Sequence, residues 1–198
     1  GLVASGVAVA TLANNHISDY GGVGIENTAK ILRENSIDVA GLEGAILYKT
    51  VKGTSFAFLA FNDIYGSIPP VLKADSETIK RLVKEARKNA DVVVVSMHWG
   101  VEYRATPDNR QVELAHLVAD AGADLVIGNH PHWIQNDEQY KNTYIKYAHG
   151  NLVFDQMWSE ETKKGVIGKY TFEDGKLVDK EFIPTYIVDY GQPQVIAN

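Results

Sequence analysis

Apolar residues follow two alternating periods along the chain. Short β-branched runs give way to stretches in which apolar positions return every third or fourth residue, the signature of strands alternating with amphipathic helices. Val7 to Ala13 reads as a buried strand. Gly24 to Asn35 reads as a helix with Ile25, Ala29 and Leu32 on one face, and Ile37 to Ala40 as a short strand. Ala45 to Thr50 and Ser55 to Phe61 read as a strand pair across Val51-Lys52-Gly53-Thr54. Ile64 to Ala74, holding Gly66, Pro69 and Pro70, is a loop. A helix capped by Asp75 or Ser76 follows, with Ile79, Leu82, Val83 and Ala86 as its stripe. Val92 to Met97 is continuously apolar, as expected of a parallel strand covered on both faces. Asp108 to Ala121 is a second strong helix, ended by Gly122. Asp124 to Ile127 and Thr143 to Ala148 are further strands. Val166 to Phe172 and Leu177 to Ile183 flank Glu173-Asp174-Gly175, a hairpin signal. This order predicts one layered α/β domain over residues 1–198, closing in antiparallel strands.

Composition narrows the function classes. The 198 residues are 45% hydrophobic and 22% charged, ordinary for a globular domain and unlike a disordered or coiled-coil chain. The net charge of −6 opposes nucleic-acid binding by bulk charge. Cysteine is absent, which excludes disulfides, Cys-ligated zinc and thiol nucleophiles while leaving the compartment open. No apolar run reaches transmembrane length. The chain starts at Gly1 with no signal pattern before it, so the expectation is a missing N-terminal part that carries any anchor or export signal.

The histidines carry the chemistry. His16 follows the first strand in Asn14-Asn15-His16. His98 follows Val92 to Met97, and His130 and His132 follow Asp124 to Ile127 in Gly128-Asn129-His130-Pro131-His132. These positions are the carboxyl ends of predicted parallel strands, where open α/β sheets place their sites. Three loops are thereby expected to bring Asn15, His16, His98, His130 and His132 to one small volume on one sheet edge. Neutral imidazole ligates transition metals, an amide oxygen suits harder ions, and Pro131 stiffens the His-Pro-His turn. Asp19, Glu102 and Asp155 are the nearest carboxylates in sequence context. His116, inside a helix beside Leu114 and Leu117, reads as structural, and His149 is open. Gly21-Gly22-Val23-Gly24 reads as a turn leading into a helix. Trp99, Tyr103, Trp133 and Trp158 flank the candidate site, with core packing as the default for each.

Taken in order, Leu12-Ala13-Asn14-Asn15-His16 with Asp19-Tyr20-Gly21, His98-Trp99-Gly100 with Glu102, Pro107 and Gln111, Gly128-Asn129-His130-Pro131-His132, and Gly150-Asn151-Leu152-Val153-Phe154-Asp155-Gln156 resemble the bacterial capsule synthesis family of CapA type. That family is associated with poly-γ-glutamate production and belongs to the calcineurin-like metallophosphoesterase superfamily. The resemblance implies a layered α/β/β/α sandwich truncated at its N-terminus, the C-terminal two-thirds of the domain. It implies Asn15, His98, His130 and His132 as metal ligands and His16 as a catalytic residue. Glu102 would act with His16 in the pocket, and Asn151 and Asp155 would bind substrate. Two divalent ions (Mn, Fe or Zn) are expected in the full-length domain and partial occupancy in this chain, which lacks the family's opening acidic segments. The implied activity is a metal-dependent hydrolase acting on a phosphoester or an anionic cell-envelope polymer; the alternative is a non-catalytic assembly or export component with a vestigial site. A sugar- or peptide-binding module using the aromatic rim is a third reading. Implied partners are other capsule synthesis components and no nucleic acid, with self-association into a homo-oligomer left open. The implied place is the extracytoplasmic face of the cell envelope, membrane-anchored in the full-length protein.

Overall fold

The computed structural model describes residues 1–43 and 46–196. In chain order the elements are β1 (Val9–Thr11), α1 (Gly21–Glu34), β2 (Asp38–Ala40), β3 (Leu47–Val51), β4 (Thr54–Asn62), α2 (Ser76–Asn89), β5 (Val92–His98), α3 (Asn109–Ala121), β6 (Leu125–Asn129), β7 (Asp137–Tyr140), β8 (Thr143–Lys146), α4 (Glu160–Lys163), β9 (Lys164–Glu173), β10 (Lys176–Val188) and β11 (Gln192–Val195). Ala45, which opens the first predicted strand of the pair, lies outside the described residues.

Six strands form the central sheet in the order β3-β4-β5-β6-β8-β7. Its four inner strands are parallel, and β3 and β7 close the two edges antiparallel. One face of β4 and β5 presents Ala57, Leu59, Phe61, Val93, Val95 and Met97 to α2 and α3, whose stripes Ile79, Val83, Ala86, Leu114, Ala115 and Val118 complete the main core. The alternate residues Val92, Val94, Leu125 and Tyr144 face the other way and meet Tyr170, Phe172, Leu177 and Phe182 from β9 and β10. Side chains alternate across a strand, so one sheet feeds both cores. The resulting layers are helix, sheet, sheet and helix, the last being α1 over β1 and β2. No helix among the described residues is long and apolar enough to cross a membrane.

Helix boundaries follow local chemistry. The Asp75 carboxylate accepts from the Thr78 backbone N–H at the start of α2. Asp108 and Gln111 form a reciprocal capping box on α3, which Gly122 ends in the left-handed conformation. The Asp174-Gly175 turn joins β9 to β10, both residues at positive φ as a tight hairpin requires. α1 starts at Gly21, so the glycine run forms its first turn.

One expectation is corrected. The strand before the Asn-Asn-His loop does not belong to the sheet that carries the other histidines; β1 pairs in parallel with β2 alone. The place beside β4 is taken by β3, held there as its hairpin partner. β1 therefore lies across the sheet face, seated through Ala13 and Ile25 on Ala60 and Val71.

Candidate metal centre

Although β1 is outside the central sheet, its loop reaches the ends of β5 and β6. Asn15 Oδ1 stands 2.8 Å from His98 Nε2. The His98 and His130 rings are 4.8 Å apart between centroids, and His130 and His132 6.1 Å. Ligand atoms of Glu102, His130 and His132 lie within 4.8 Å of one another. Five side chains from three loops thus line one volume.

The backbone holds these loops tightly. Asn62 pairs with His98 and His98 with Asn129 as the last rungs of the parallel sheet, which puts both strand ends level. Gly128 precedes the His-Pro-His turn, and a Cβ there would sit 1.9 Å from the Tyr147 carbonyl oxygen and 2.5 Å from the Trp99 indole nitrogen. Only glycine lets the Trp99 N–H donate to that carbonyl at 2.9 Å beside it. The turn itself bends through positive φ at His130 (101°) and His132 (61°), and Tyr103 opposite stands at 61°. Such backbone conformations are costly for residues with a Cβ and gather at ligand sites. The loop carrying Glu102 is tied down by Tyr103 N–H donating to Pro131 O at 2.8 Å. It is also held by buried Gln135, which donates to Arg104 O at 3.0 Å and accepts from Gln111 at 2.8 Å.

Electrostatics keep the His98 and His130 rings neutral. Burial, reinforced by the neighbouring imidazoles of His130, His132 and His16, pushes His98 down to about 3. His130 is also lowered, mainly by burial, against an opposing pull from Glu102. Neutral imidazoles keep a lone pair for a metal, and borderline ions prefer such nitrogen donors. The 2.8 Å between Asn15 Oδ1 and His98 Nε2 is close to the about 3 Å that separates adjacent ligands on an octahedral ion. The donor set of three imidazoles and one amide oxygen, with the Glu102 carboxylate beside it, fits a divalent cation.

The remaining candidates divide. His16 is exposed, and its Nδ1 lies 3.0 Å from Asp19 Oδ2. Asn151 is buried, with Oδ1 2.8 Å from His132 Nδ1. Asp155 is exposed and, among the described residues, makes no hydrogen bond or ion pair with the cluster. Gln156 takes the inward position on that loop, donating to the Tyr103 hydroxyl at 3.3 Å. Tyr103 stacks on His132 at 5.9 Å and Phe154 packs at 4.9 Å. Trp158 is exposed and meets Tyr103 edge-on, whereas Trp99 is fully buried core. His116 pairs with Glu138 at 3.0 Å and stacks on Tyr140, away from the cluster. His149 faces the Tyr170 hydroxyl at 3.0 Å and is equally remote in role. Gln135 carries no sequence signal, since a lone amide in a loop has no periodicity, whereas Gln156 belongs to the Asn151 to Gln156 segment that the resemblance places along the pocket.

The family model described as Bacterial capsule synthesis protein PGA_cap matches residues 1–156. The PGA biosynthesis protein CapA of Bacillus subtilis (strain 168) is 37% identical over 177 residues, covering 82% of this chain and 47% of that protein. The capsule biosynthesis protein CapA of Bacillus anthracis is 35% identical over 211 residues, covering 98% and 51%. The chain therefore spans about half the length of the curated relatives it matches. A novel phosphatase from Mycoplasma pneumoniae shares the fold, with a TM-score of 0.62 at 12% identity over 92% of this chain and 73% of that one.

Proposed function

The chain belongs to the bacterial capsule synthesis protein family, and from that premise we propose that it serves poly-γ-glutamate capsule biosynthesis at the cell envelope as a metal-dependent hydrolase of phosphoester type. The observation that carries this reading is the convergence of Asn15, His98, His130, His132 and Glu102 on one volume. Asn15, His98, His130 and His132 would hold divalent ions (Mn, Fe or Zn). Such an ion supplies Lewis acidity and acidified water to a hydrolytic reaction.

The chain's own residues complete the chemistry. The Asp19 carboxylate accepts from His16 Nδ1–H, so Nε2 is the nitrogen left to hold or deliver a proton at the leaving oxygen. Exposure of His16 lets it reach a bulky substrate. Tyr103 stacks on His132 and Phe154 packs against the same ring, and together they shield it from water. An anionic polymer or its phosphoester precursor is the substrate class, with other capsule synthesis components as partners. Activity on a generic phosphodiester with added manganese tests this; no turnover by the metal-loaded protein would overturn it.

A non-catalytic assembly role is the second reading. It is favoured by the single carboxylate among the clustered ligand atoms, since hydrolytic two-metal sites generally use a bridging acid. A metal-free protein that still supports polymer production would favour it over the first.

A further inference from the structure

We infer that Glu102 is itself a metal ligand, closing a three-donor site with His130 and His132 whose tautomer is set by Asn151. This rests on the metal-centre reading above and adds a ligand and its support to it. Asn151 Nδ2 donates to the Thr162 carbonyl at 2.9 Å and to Gln156 Oε1 at 3.2 Å. A backbone carbonyl only accepts, so the amide orientation is fixed and Oδ1 points to His132. His132 Nδ1 must then carry the proton and donate across the 2.8 Å contact. The ring's other nitrogen, Nε2, is turned toward Glu102 and stands 3.9 Å from its Oε1.

Nε2 and the carboxylate oxygen thus face each other across a gap too wide for a hydrogen bond and wide enough for an ion that both ligate. His130 supplies the third donor within the same 4.8 Å span. The arrangement of a ligating imidazole donating its other N–H to an amide or carboxylate oxygen is the usual outer support of metal sites. The loop geometry agrees with this. Tyr103, the residue after Glu102, adopts positive φ, bonds to Pro131 between the two histidines, and stacks on His132. Glu102 is therefore locked in register with the His-Pro-His turn, whereas a residue that only lines a pocket needs no such coupling.

Isothermal titration of the purified protein with manganese(II) alone tests this, comparing wild type with Glu102→Gln and Glu102→Asp. The Gln variant is expected to lose at least tenfold in affinity, with the thermal midpoint in chelator unchanged because the Glu102 side chain is only half-buried and fills no core. The Asp variant, which keeps a carboxylate, is expected to recover most of that loss. Wild-type affinity in Glu102→Gln would overturn the assignment while leaving the metal centre standing. Absence of manganese binding to the wild type would overturn the metal centre itself.

Discussion

Asn15 Oδ1 and His98 Nε2 meet at 2.8 Å although 83 residues separate them in the chain. One comes from the loop after β1 and the other from the last rung of β5, so the contact joins two sheets. Both side chains are half-buried, and neither is needed to fill a core. Asn15→Ala is expected to lower manganese affinity by about tenfold or more, the scale seen when metal-site support is removed. Its thermal midpoint in chelator should stay within a few degrees of wild type, while the metal-induced rise shrinks. Thermal melts with and without manganese check this; an undiminished rise would take Asn15 out of the ligand set.

Much of this was legible in the chain because the signals were local. The Asp108–Gln111 box, Gly122 and Asp174-Gly175 mark their boundaries by side-chain chemistry alone. The apolar run of β5 announces a strand with two covered faces. What escaped was non-local or polar. β7, Asp137–Tyr140, is a polar edge strand stabilised by pairing with β8, and β11 is fully exposed and contains Pro193. Edge strands need no apolar alternation. The membership of β1 in its own small sheet depends on β3 occupying the place beside β4, which no window of sequence contains. At the site, the histidine spacing pointed to loops that the fold does bring together. Choosing Gln156 over Asp155 as the inward residue required the fold.

Gly128 makes the site's stability sensitive to one methyl group. A Cβ at this position would lie 1.9 Å from the Tyr147 carbonyl oxygen, and backbone on both sides is fixed in the sheet. Gly128→Ala is expected to cost about 3 kcal/mol or more, the upper range of overpacking, with loss of the Trp99 indole bond. Urea unfolding monitored by tryptophan fluorescence measures it. A variant as stable as wild type would show that β6 and β8 can separate freely at this end.

Acid should weaken the protein through its buried imidazoles. Burial, opposed by the Gly128 carbonyl and aided by Lys146, pushes His149 down to about 4. An unfolded histidine titrates near 6.5, so between those values the unfolded chain binds the proton and the folded one resists it. Stability from this neutral ring is complete above about pH 6.5 and is lost as pH falls through about 4, amounting to about 3 kcal/mol. His98, at about 3, acts in the same direction and extends the window downward. Denaturation of the metal-free protein at pH 7 and pH 4.5 should show this loss, and His149→Gln should show a smaller one. Equal losses in the two proteins would mean that His149 protonates without penalty.

His16 offers the sharpest separation of catalysis from metal binding. It is the one histidine of the candidate set exposed to solvent, and its polar side-chain partner is Asp19, not another member of the cluster. Removing it takes nothing from the ring of donors formed by Asn15, His98, His130 and His132. His16→Ala is therefore expected to keep manganese content and thermal midpoint while losing about a hundredfold or more in turnover of a phosphodiester, the usual share of a positioned proton donor. Asp19→Asn should lose less, because the ring keeps a hydrogen-bond acceptor but the proton on Nδ1 is held less firmly. A substrate with a very good leaving group should narrow the deficit of His16→Ala, since such a group departs without a proton. If the deficit is the same for good and poor leaving groups, His16 holds the substrate and does not transfer a proton.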